Sequence, residues 1–499
     1  MKFNAKFLLC LISAIMTALP FLVPSFGFLA YFSLIPFLYM LFYKCTSTKE
    51  AAGYGFLFGT MWYLLVLTWI FYLYPLQNVC KSPALCVVLL TFVWILISMV
   101  MGGEVALFSY AFKRWFSYGK LKALSVAAVW VLMEYIQQFG DFGFTWCRIS
   151  LTQYMYIPVI QSASLFGSLF LSFVIVLINA LLTISLKNKK ISYLFLGVIC
   201  FLGNIVLGNL APDFKPYKEI SASLVWEDVN PDDKRAENST KGTFEKLMAE
   251  SRKQESELVI WSETAVPVIM SENSKYFRHY QKLCREKDFM LFAGGFLREG
   301  ENLHSSVLCI DESGERIGKI HKRKLVPFGE YVPLRNLIKL FVPSIEEISP
   351  RGEEIVPFDK ECVIETKFGK TGGIICYDSC FPHIARECAR EGAEIITLST
   401  NDAWFYGSHA AKNHLSQSIF RAVENGRYVL RCANLGESVI IDNEGRIIKG
   451  EENGKLSLSG SGGLIKEKTL YTKIGDSFII LLIVLIICVK KGYDKKVLS

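Results

Sequence analysis

The sequence predicts a bundle of eight membrane helices joined to one soluble α/β domain with layered sheets. Three observations predict it. Apolar residues make up 52% of a 499-residue chain, and they crowd into residues 1–210 and 474–489. Residues 211–473 look like an ordinary soluble domain, in which short β-type runs alternate with polar helical stretches. The basic residues gather on one side of the apolar runs, as they do in multi-pass membrane proteins.

Runs of about 20 apolar residues cross a bilayer as helices. Seven precede the soluble block, near 6–24, 26–43, 54–74, 85–112, 123–139, 157–186 and 192–210. An eighth, Ile474 to Val489, is short but runs from Phe478 to Leu485 without a charge. Lys2 and Lys6 before the first run would suit a signal peptide. No clean small-x-small cleavage site follows, and six further spans do, so the run reads as a helix. The chain thus divides into a membrane domain (1–210), a soluble domain (211–473), and a last helix with its tail (474–499).

Orientation comes from the lysines and arginines. Lys2, Lys6, Lys44, Lys49, Lys113, Arg114, Lys120, Lys122, Lys187, Lys189 and Lys190 fall on the N-terminal side of the bundle. Lys490, Lys491, Lys495 and Lys496 join them, while the opposite loops hold only Lys81 and Arg148. This predicts a cytoplasmic N-terminus and places 211–473 across the cytoplasmic membrane. The formal charge of +8 then reflects topology and lipid headgroups, and gives no reason to invoke nucleic acid. Of the 14 cysteines, the soluble block holds Cys284, Cys309, Cys362, Cys376, Cys380, Cys388 and Cys432. An odd number leaves at least one without a partner inside the block, and no Cys/His spacing reads as a metal site.

Within the membrane part, Gly53, Gly55 and Gly59 allow close helix approach, and Trp62 and Trp69 read as packing or interfacial residues. Glu104 and Glu134 are ionisable residues inside spans, each open to a functional role or to pairing across the bundle. Arg148, in the loop 140–148 on the soluble domain's side, is open to a phosphate contact or a structural ion pair.

In the soluble block, Ala222–Trp226 reads as a strand, Lys241–Leu258 as a charged helix, and Leu258–Trp261 as a buried strand ending in Ser262-Glu263-Thr264. Further strands are expected at 289–294, 306–310 and 317–320. After Cys376 come a helix over 381–391, a strand over 394–398, a helix over 408–425, and strands near 427–432 and 438–441.

The chemistry centres on Gly372-Gly373-Ile374-Ile375-Cys376-Tyr377-Asp378. An apolar run bounded by glycines and ending on a cysteine holds that sulfur on rigid backbone at a sheet's open end, as a nucleophile requires. Glu263 ends a strand in the same manner, and Lys322 follows the strand 317–320. A carboxylate can take a thiol's proton, and an ammonium stabilises an oxyanion. The three together suffice for acyl transfer through a thioester. Each also has a plainer reading: Cys376 as a buried thiol, Glu263 as a strand-end acid, Lys322 as part of a solvated basic cluster with Arg323 and Lys324. Cys380 is a rival nucleophile or a disulfide partner for Cys376.

Trp261-Ser262-Glu263, Lys322 with Leu325-Val326-Pro327-Phe328-Gly329-Glu330-Tyr331-Val332-Pro333, and Ile375-Cys376-Tyr377-Asp378 resemble the nitrilase (carbon–nitrogen hydrolase) superfamily. With the membrane helices the chain resembles bacterial apolipoprotein N-acyltransferases in particular. Gly55–Gly59, Asn401-Asp402-Ala403-Trp404-Phe405, Arg421–Arg427 and Gly475-Asp476 extend the likeness over the whole length. The resemblance implies an αββα sandwich on eight helices, outside the bacterial cytoplasmic (inner) membrane. It implies Cys376 as nucleophile, Glu263 as general base and Lys322 as oxyanion-stabilising residue, with Glu330, Tyr377, Asp378 and Trp404 in supporting or substrate-contacting roles. It implies no metal and no cofactor, a phospholipid acyl donor, and a diacylglyceryl-cysteine lipoprotein as acceptor.

The sequence departs from the family pattern in three places: Asp378 stands where Glu is frequent, and 225–231 and 406–409 differ. These bear on substrate contacts more than on the triad. The apolar stretch Leu337–Pro343 is expected to line or gate lipid entry, with ordinary core as the alternative. Two rival functions remain, a membrane-tethered amidase or nitrilase that would release a free acid, and an inactive nitrilase-like scaffold on which Cys376 would carry no acyl group.

Overall fold

The computed structural model describes all residues except 1–4, 76–81, 118, 231–236, 272, 336–353, 359–361, 452–453 and 499, and side chains other than those of 237–239 and 492–498. The expected gate at Leu337–Pro343 lies outside the described residues, as does Lys81. Among the described residues the N-terminal part is built of helices: α1 (Ala5–Leu22), α2 (Pro24–Tyr43, opened by a 3-10 turn), α3 (Thr48–Val66), α4 (Pro83–Trp115), α5 (Lys122–Ile136), α6 (Ser168–Asn188) and α7 (Ile191–Asn209). Six of these are long and apolar enough to cross a membrane: α1, α2, α3 with its 3-10 extension to Leu73, α4, α6 and α7.

Two of the expected runs take a different form. The run 123–139 yields only the 15-residue α5, because the chain leaves the helix at Gln137 and turns through Gly140 at φ +74°. The run 157–186 breaks into two short helices, Ile157–Ile160 and Ala163–Phe166, before α6 begins.

Helices α3 and α4 meet through glycines. A Cβ on Gly59 would lie 2.9 Å from the Cα of Gly102, and one on Gly55 would lie 2.3 Å from Ser109 Oγ. Gly53 has no such neighbour. Trp62 is buried and stacks on Trp130, so it serves packing. Glu134 Oε1 accepts from Trp130 Nε1 (2.9 Å) and from the Ile149 amide (3.0 Å). Arg148, only 2% exposed, donates to the Glu134 carbonyl and to Gln138. These two residues pin the loop to α5, and burial closes Arg148 to a headgroup phosphate. Glu104 accepts from Gln137 Nε2 at 2.7 Å.

The soluble domain contains twelve strands among the described residues: β1 (Lys218–Val225), β2 (Leu258–Trp261), β3 (Met290–Glu299), β4 (Asn302–Ile310), β5 (Arg316–His321), β6 (Val363–Thr366), β7 (Gly369–Ile375), β8 (Ile395–Asn401), β9 (Val429–Asn434), β10 (Val439–Ile441), β11 (Ile447–Gly450) and β12 (Ser457–Leu464). They form two six-stranded sheets, ordered β12-β1-β2-β3-β4-β5 and β11-β10-β9-β8-β7-β6.

At the centre of each sheet three strands run parallel, β1-β2-β3 and β7-β8-β9. Parallel neighbours bring their C-terminal ends to one edge, where open α/β sheets place ligands. Between the sheets lies an apolar core in which Leu224, Ile260 and Phe292 face Ile375, Ile395 and Leu430. Helices α8 (Glu237–Arg252) and α9 (Lys275–Lys287) cover the first sheet, with Leu247 and Tyr280 in its apolar layer. Helices α10 (Pro382–Arg390) and α11 (Ala410–Asn425) cover the second, giving four layers, αββα.

The outer surface of α10 and α11 is continuous with the membrane part. Ile384, Leu415 and Ile419 belong to the same apolar cluster as Phe37, Trp62 and Ile175. The C-terminal helix α12 (Ser477–Leu498) packs Ile479 and Leu482 against Val131 of α5 and Leu169 of α6. The thirteen described cysteines are all free thiols, Cys380 among them.

Candidate active site

Cys376 follows the last residue of β7 and adopts φ +48°, a left-handed conformation that a residue with a Cβ reaches only at a cost of about 1–3 kcal/mol. A 3-10 turn, Cys376–Cys380, then leads into α10. Glu263 lies just past β2 in the other sheet, beside Thr264 at φ +46°. Its amide donates to the Thr400 carbonyl at 3.3 Å, joining the ends of β2 and β8. Lys322 follows β5, and its amide donates to the Ser305 carbonyl at 2.8 Å.

The glycines before Cys376 allow the two sheets to close on each other. A Cβ on Gly373 would stand 2.0 Å from Ile320 Cδ1. Ile320 is two residues before Lys322, so this close contact brings the lysine's strand against the strand that carries Cys376.

The lysine is the centre of the charge arrangement. Lys322 Nζ donates to Glu263 Oε1 at 2.8 Å and to Glu330 Oε1 at 2.9 Å, and the side chain is 2% exposed. Burial opposes its charge, yet Glu263 and Glu330 together hold its pKa well above the usual lysine range. Glu330 Oε2 accepts the Val326 amide at 2.8 Å, which closes the 326–330 loop under the ammonium. Burial, with the Glu263 charge, pushes the Cys376 thiol well above the ordinary cysteine range, against the pull of Lys322. That shift favours the neutral thiol over the thiolate.

Asp378 ties these pieces together. Its carboxylate accepts the amides of Ile375 (3.0 Å), Arg323 (3.2 Å) and Lys324 (2.7 Å), so one side chain spans the end of β7 and the lysine segment. Burial lifts it to about 7 despite the opposing charge of Lys322.

Tyr377 points the other way. Its hydroxyl donates to the Gly143 carbonyl at 3.0 Å, across the junction with the membrane part. Trp404 sits in the 3-10 turn Ala403–Phe405 after β8, partly buried against the apolar cluster of α10 and α11. Glu263, Lys322, Glu330, Asp378 and Cys376 thus converge at one sheet edge, whereas Tyr377 and Trp404 face the helices. Cys380 is fully buried.

The loop 140–148 grips the same elements. Thr145 Oγ1 donates to the Cys380 carbonyl (2.6 Å), Lys324 Nζ to the Gly140 carbonyl (2.6 Å) and Tyr331 OH to the Asp141 carbonyl (2.9 Å).

Residues 223–459 match the carbon-nitrogen hydrolase family, and residues 13–181 match the apolipoprotein N-acyltransferase N-terminal domain. The apolipoprotein N-acyltransferase of Geobacter metallireducens is 30% identical, over 95% of this chain and 92% of that protein. The chain belongs to the apolipoprotein N-acyltransferase family. Relatives of the same name from Gloeobacter violaceus (26% identical, 93% of this chain and 89% of that one) and Rickettsia bellii (28%, 99% and 98%) match over almost their whole lengths. Apolipoprotein N-acyltransferase membership covers both parts of the molecule, the helices and the sandwich.

One set of residues at the site had no signal of its own in the sequence. Ser379, Thr400, Asp402, His414 and Arg431 meet beneath the Cys376 turn, although they come from separate elements. Asp402 stood inside a segment carrying the family resemblance, but a lone His in the middle of a helix gives no reason to be singled out.

Proposed function

We propose that this chain moves a fatty acyl group from a membrane phospholipid to the α-amine of a diacylglyceryl-cysteine at the N-terminus of a lipoprotein, through a thioester on Cys376. The observation that carries the reading is the buried Lys322 ammonium, held at 2.8 and 2.9 Å between Glu263 and Glu330 beside a protonated thiol. It is a preorganised positive charge with a base next to it, sited where an ester carbonyl would become an oxyanion.

In the first step Glu263 takes the thiol proton as the sulfur attacks the ester carbonyl. The carbonyl's electron pair moves onto its oxygen, which Lys322 stabilises; one such donor contributes about 3–4 kcal/mol. Collapse expels the glycerol oxygen, which takes the proton from Glu263 and leaves as a lysophospholipid. In the second step the lipoprotein's α-amine attacks the thioester and gives its proton to Glu263. The proton returns to sulfur as the amide forms. Because the thiol rests protonated, proton transfer and attack are coupled, and Glu263 is needed in both halves.

Both substrates are lipids, so a hydrolase-type domain anchored on membrane helices can work without drawing acyl chains out of the bilayer. The chain is a multi-pass protein of the bacterial cytoplasmic membrane, with α5 and α12 completing a set of eight spans and the sandwich on the extracytoplasmic side. The one-sided lysines and arginines support that orientation.

Mass spectrometry of protein purified from membranes, wild type beside Cys376→Ala, tests the reading. A hydroxylamine-labile acyl group on Cys376, absent from the variant, is expected. An acyl adduct on another residue, or none on protein incubated with phospholipid, would overturn it.

A further inference from the structure

Below the catalytic turn lies a buried polar chain that the two-step reaction does not use. His414, on α11 and 1% exposed, sets Nδ1 2.8 Å from Asp402 Oδ1 and Nε2 3.0 Å from Ser379 Oγ. Asp402 is held in turn by Arg431 (2.5 Å) and by the Thr400 hydroxyl (3.0 Å). The far end of the chain closes on one atom, the carbonyl oxygen of Cys376. Ser379 Oγ donates to it at 2.7 Å, and His414 Nε2 lies 3.3 Å away.

We propose that Asp402, His414 and Ser379 form a positioning relay that holds the Cys376 peptide in its left-handed turn and so aims the sulfur at the ester carbonyl. Hydroxyl, imidazole and carboxylate stand in the order of a hydrolytic triad. They are sealed, however: Ser379 and Asp402 have no exposed surface, and the serine proton is committed to a backbone carbonyl. No substrate reaches them. What they do reach is the one peptide group whose strained φ decides where the thiol points, and such a conformation persists only when its surroundings over-determine it.

The carboxylate end is well fixed. Burial works against its charge, but Arg431 and His414 hold Asp402 at about 2. The ring is fixed from its sides as well. Trp146, from the loop of the membrane part, stacks on His414 (5.6 Å between centroids, 22°), and Phe405 meets it edge-on (6.0 Å, 84°). The Thr400 hydroxyl donates to Asp402 from the end of β8. Asp402, His414 and Ser379 are positioning residues, since none touches the reacting atoms.

The proposal rests on Cys376 being the acylated residue, and the test separates the two. Full-length protein in mixed micelles is given a phospholipid with an alkyne-tagged acyl chain, and formation of acyl-Cys376 is followed in single turnovers at varied lipid concentration. His414→Ala is expected to slow the saturating rate by about tenfold or more, with the half-saturating lipid concentration within about twofold of wild type. His414→Gln, whose amide can still donate to the Cys376 carbonyl, should recover part of the loss. Ser379→Ala, which deletes one hydroxyl, should shift the rate in the same direction by less.

A wild-type rate in His414→Ala, or a loss confined to the half-saturating concentration, overturns the relay. If His414→Ala does not fold, Ser379→Ala decides, and a wild-type rate there has the same meaning. If wild-type protein acquires no acyl group on Cys376, the two-step reading itself falls and takes the relay with it. An acylated wild type with equally fast variants removes the relay alone.

Discussion

Glu330→Gln is the sharpest single perturbation of the charge arrangement, because it keeps the shape and removes one charge. Glu330 serves two donors at once, Lys322 Nζ on one oxygen (2.9 Å) and the Val326 amide on the other (2.8 Å). A glutamine can accept from only one of them and must turn its own NH2 toward the second. Either the ammonium or the loop amide loses its acceptor. A hydrogen bond to a charged group contributes about 1.5–3 kcal/mol, which at about 1.4 kcal/mol per decade becomes a loss of roughly 10- to 150-fold in rate.

The loss should fall on the acylation rate constant and not on lipid affinity. Lys322 would keep its hydrogen bond to Glu263 and lose the one to Glu330, so the ammonium is less firmly placed for the oxyanion. Single-turnover acylation of full-length protein in phospholipid micelles measures this directly. A rate constant within twofold of wild type would refute the view that Lys322 needs both carboxylates.

Three further outcomes follow from the same geometry. Burial holds Asp378 at about 7, and protonation weakens it as the shared acceptor of the Ile375, Arg323 and Lys324 amides. Acylation should therefore fall as pH drops through 7, and Asp378→Asn should lack that acid limb in a pH–rate profile while keeping any limb at higher pH. Gly373→Ala puts a Cβ 2.0 Å from Ile320 Cδ1, an overpacking that costs about 1–3 kcal/mol; a lower midpoint in thermal unfolding followed by tryptophan fluorescence is expected, and an unchanged midpoint contradicts the close approach of the sheets. Tyr377→Phe leaves the Gly143 carbonyl without its donor, worth about 1 kcal/mol, and should slow acylation about fivefold, whereas an unaltered rate would mean that the loop 140–148 does not help to set the turn.

The parts legible in the sequence were those written in local pattern. The buried strand Leu258–Trp261 and the run ending at Ile375 are short apolar stretches bounded by polar or glycine punctuation, and both appear where expected. That Glu263, Lys322 and Cys376 each stand just past a strand could be read because each follows a short apolar run; their roles belong to the proposal.

Strand β12 could not be read this way. Ser457–Leu464 is serine and glycine for most of its length and reads as linker, yet eight consecutive pairings with β1 make it a sheet edge. The helix α9 is so strongly charged that its apolar stripe of Phe277, Tyr280, Leu283 and Cys284 was easily overlooked. The run 123–139 stays apolar past the end of its helix, since the composition continues beyond Ile136 although the backbone has already turned. The network of Ser379, Asp402, His414 and Arg431 was invisible because its order exists only in three dimensions.

That network and the loop 140–148 explain why a nitrilase-type sandwich here cannot be treated as a soluble enzyme on a tether. The turn carrying Cys376 is bonded on its sandwich side through Asp378 and Ser379, and on its helical side through Tyr377 to Gly143 and through the Cys380 carbonyl to Thr145. Trp146 continues the second set by stacking on His414 and meeting Trp69 of the α3 extension at 5.6 Å. His409, at the start of α11, reaches the Val66 carbonyl at the end of α3 (2.7 Å). Cutting the sandwich free would remove half of the supports of a strained peptide while exposing the apolar faces of α10 and α11. The same contacts that anchor the domain thus also shape the Cys376 turn, and a displacement of α3 would be felt at Cys376 through only a few side chains.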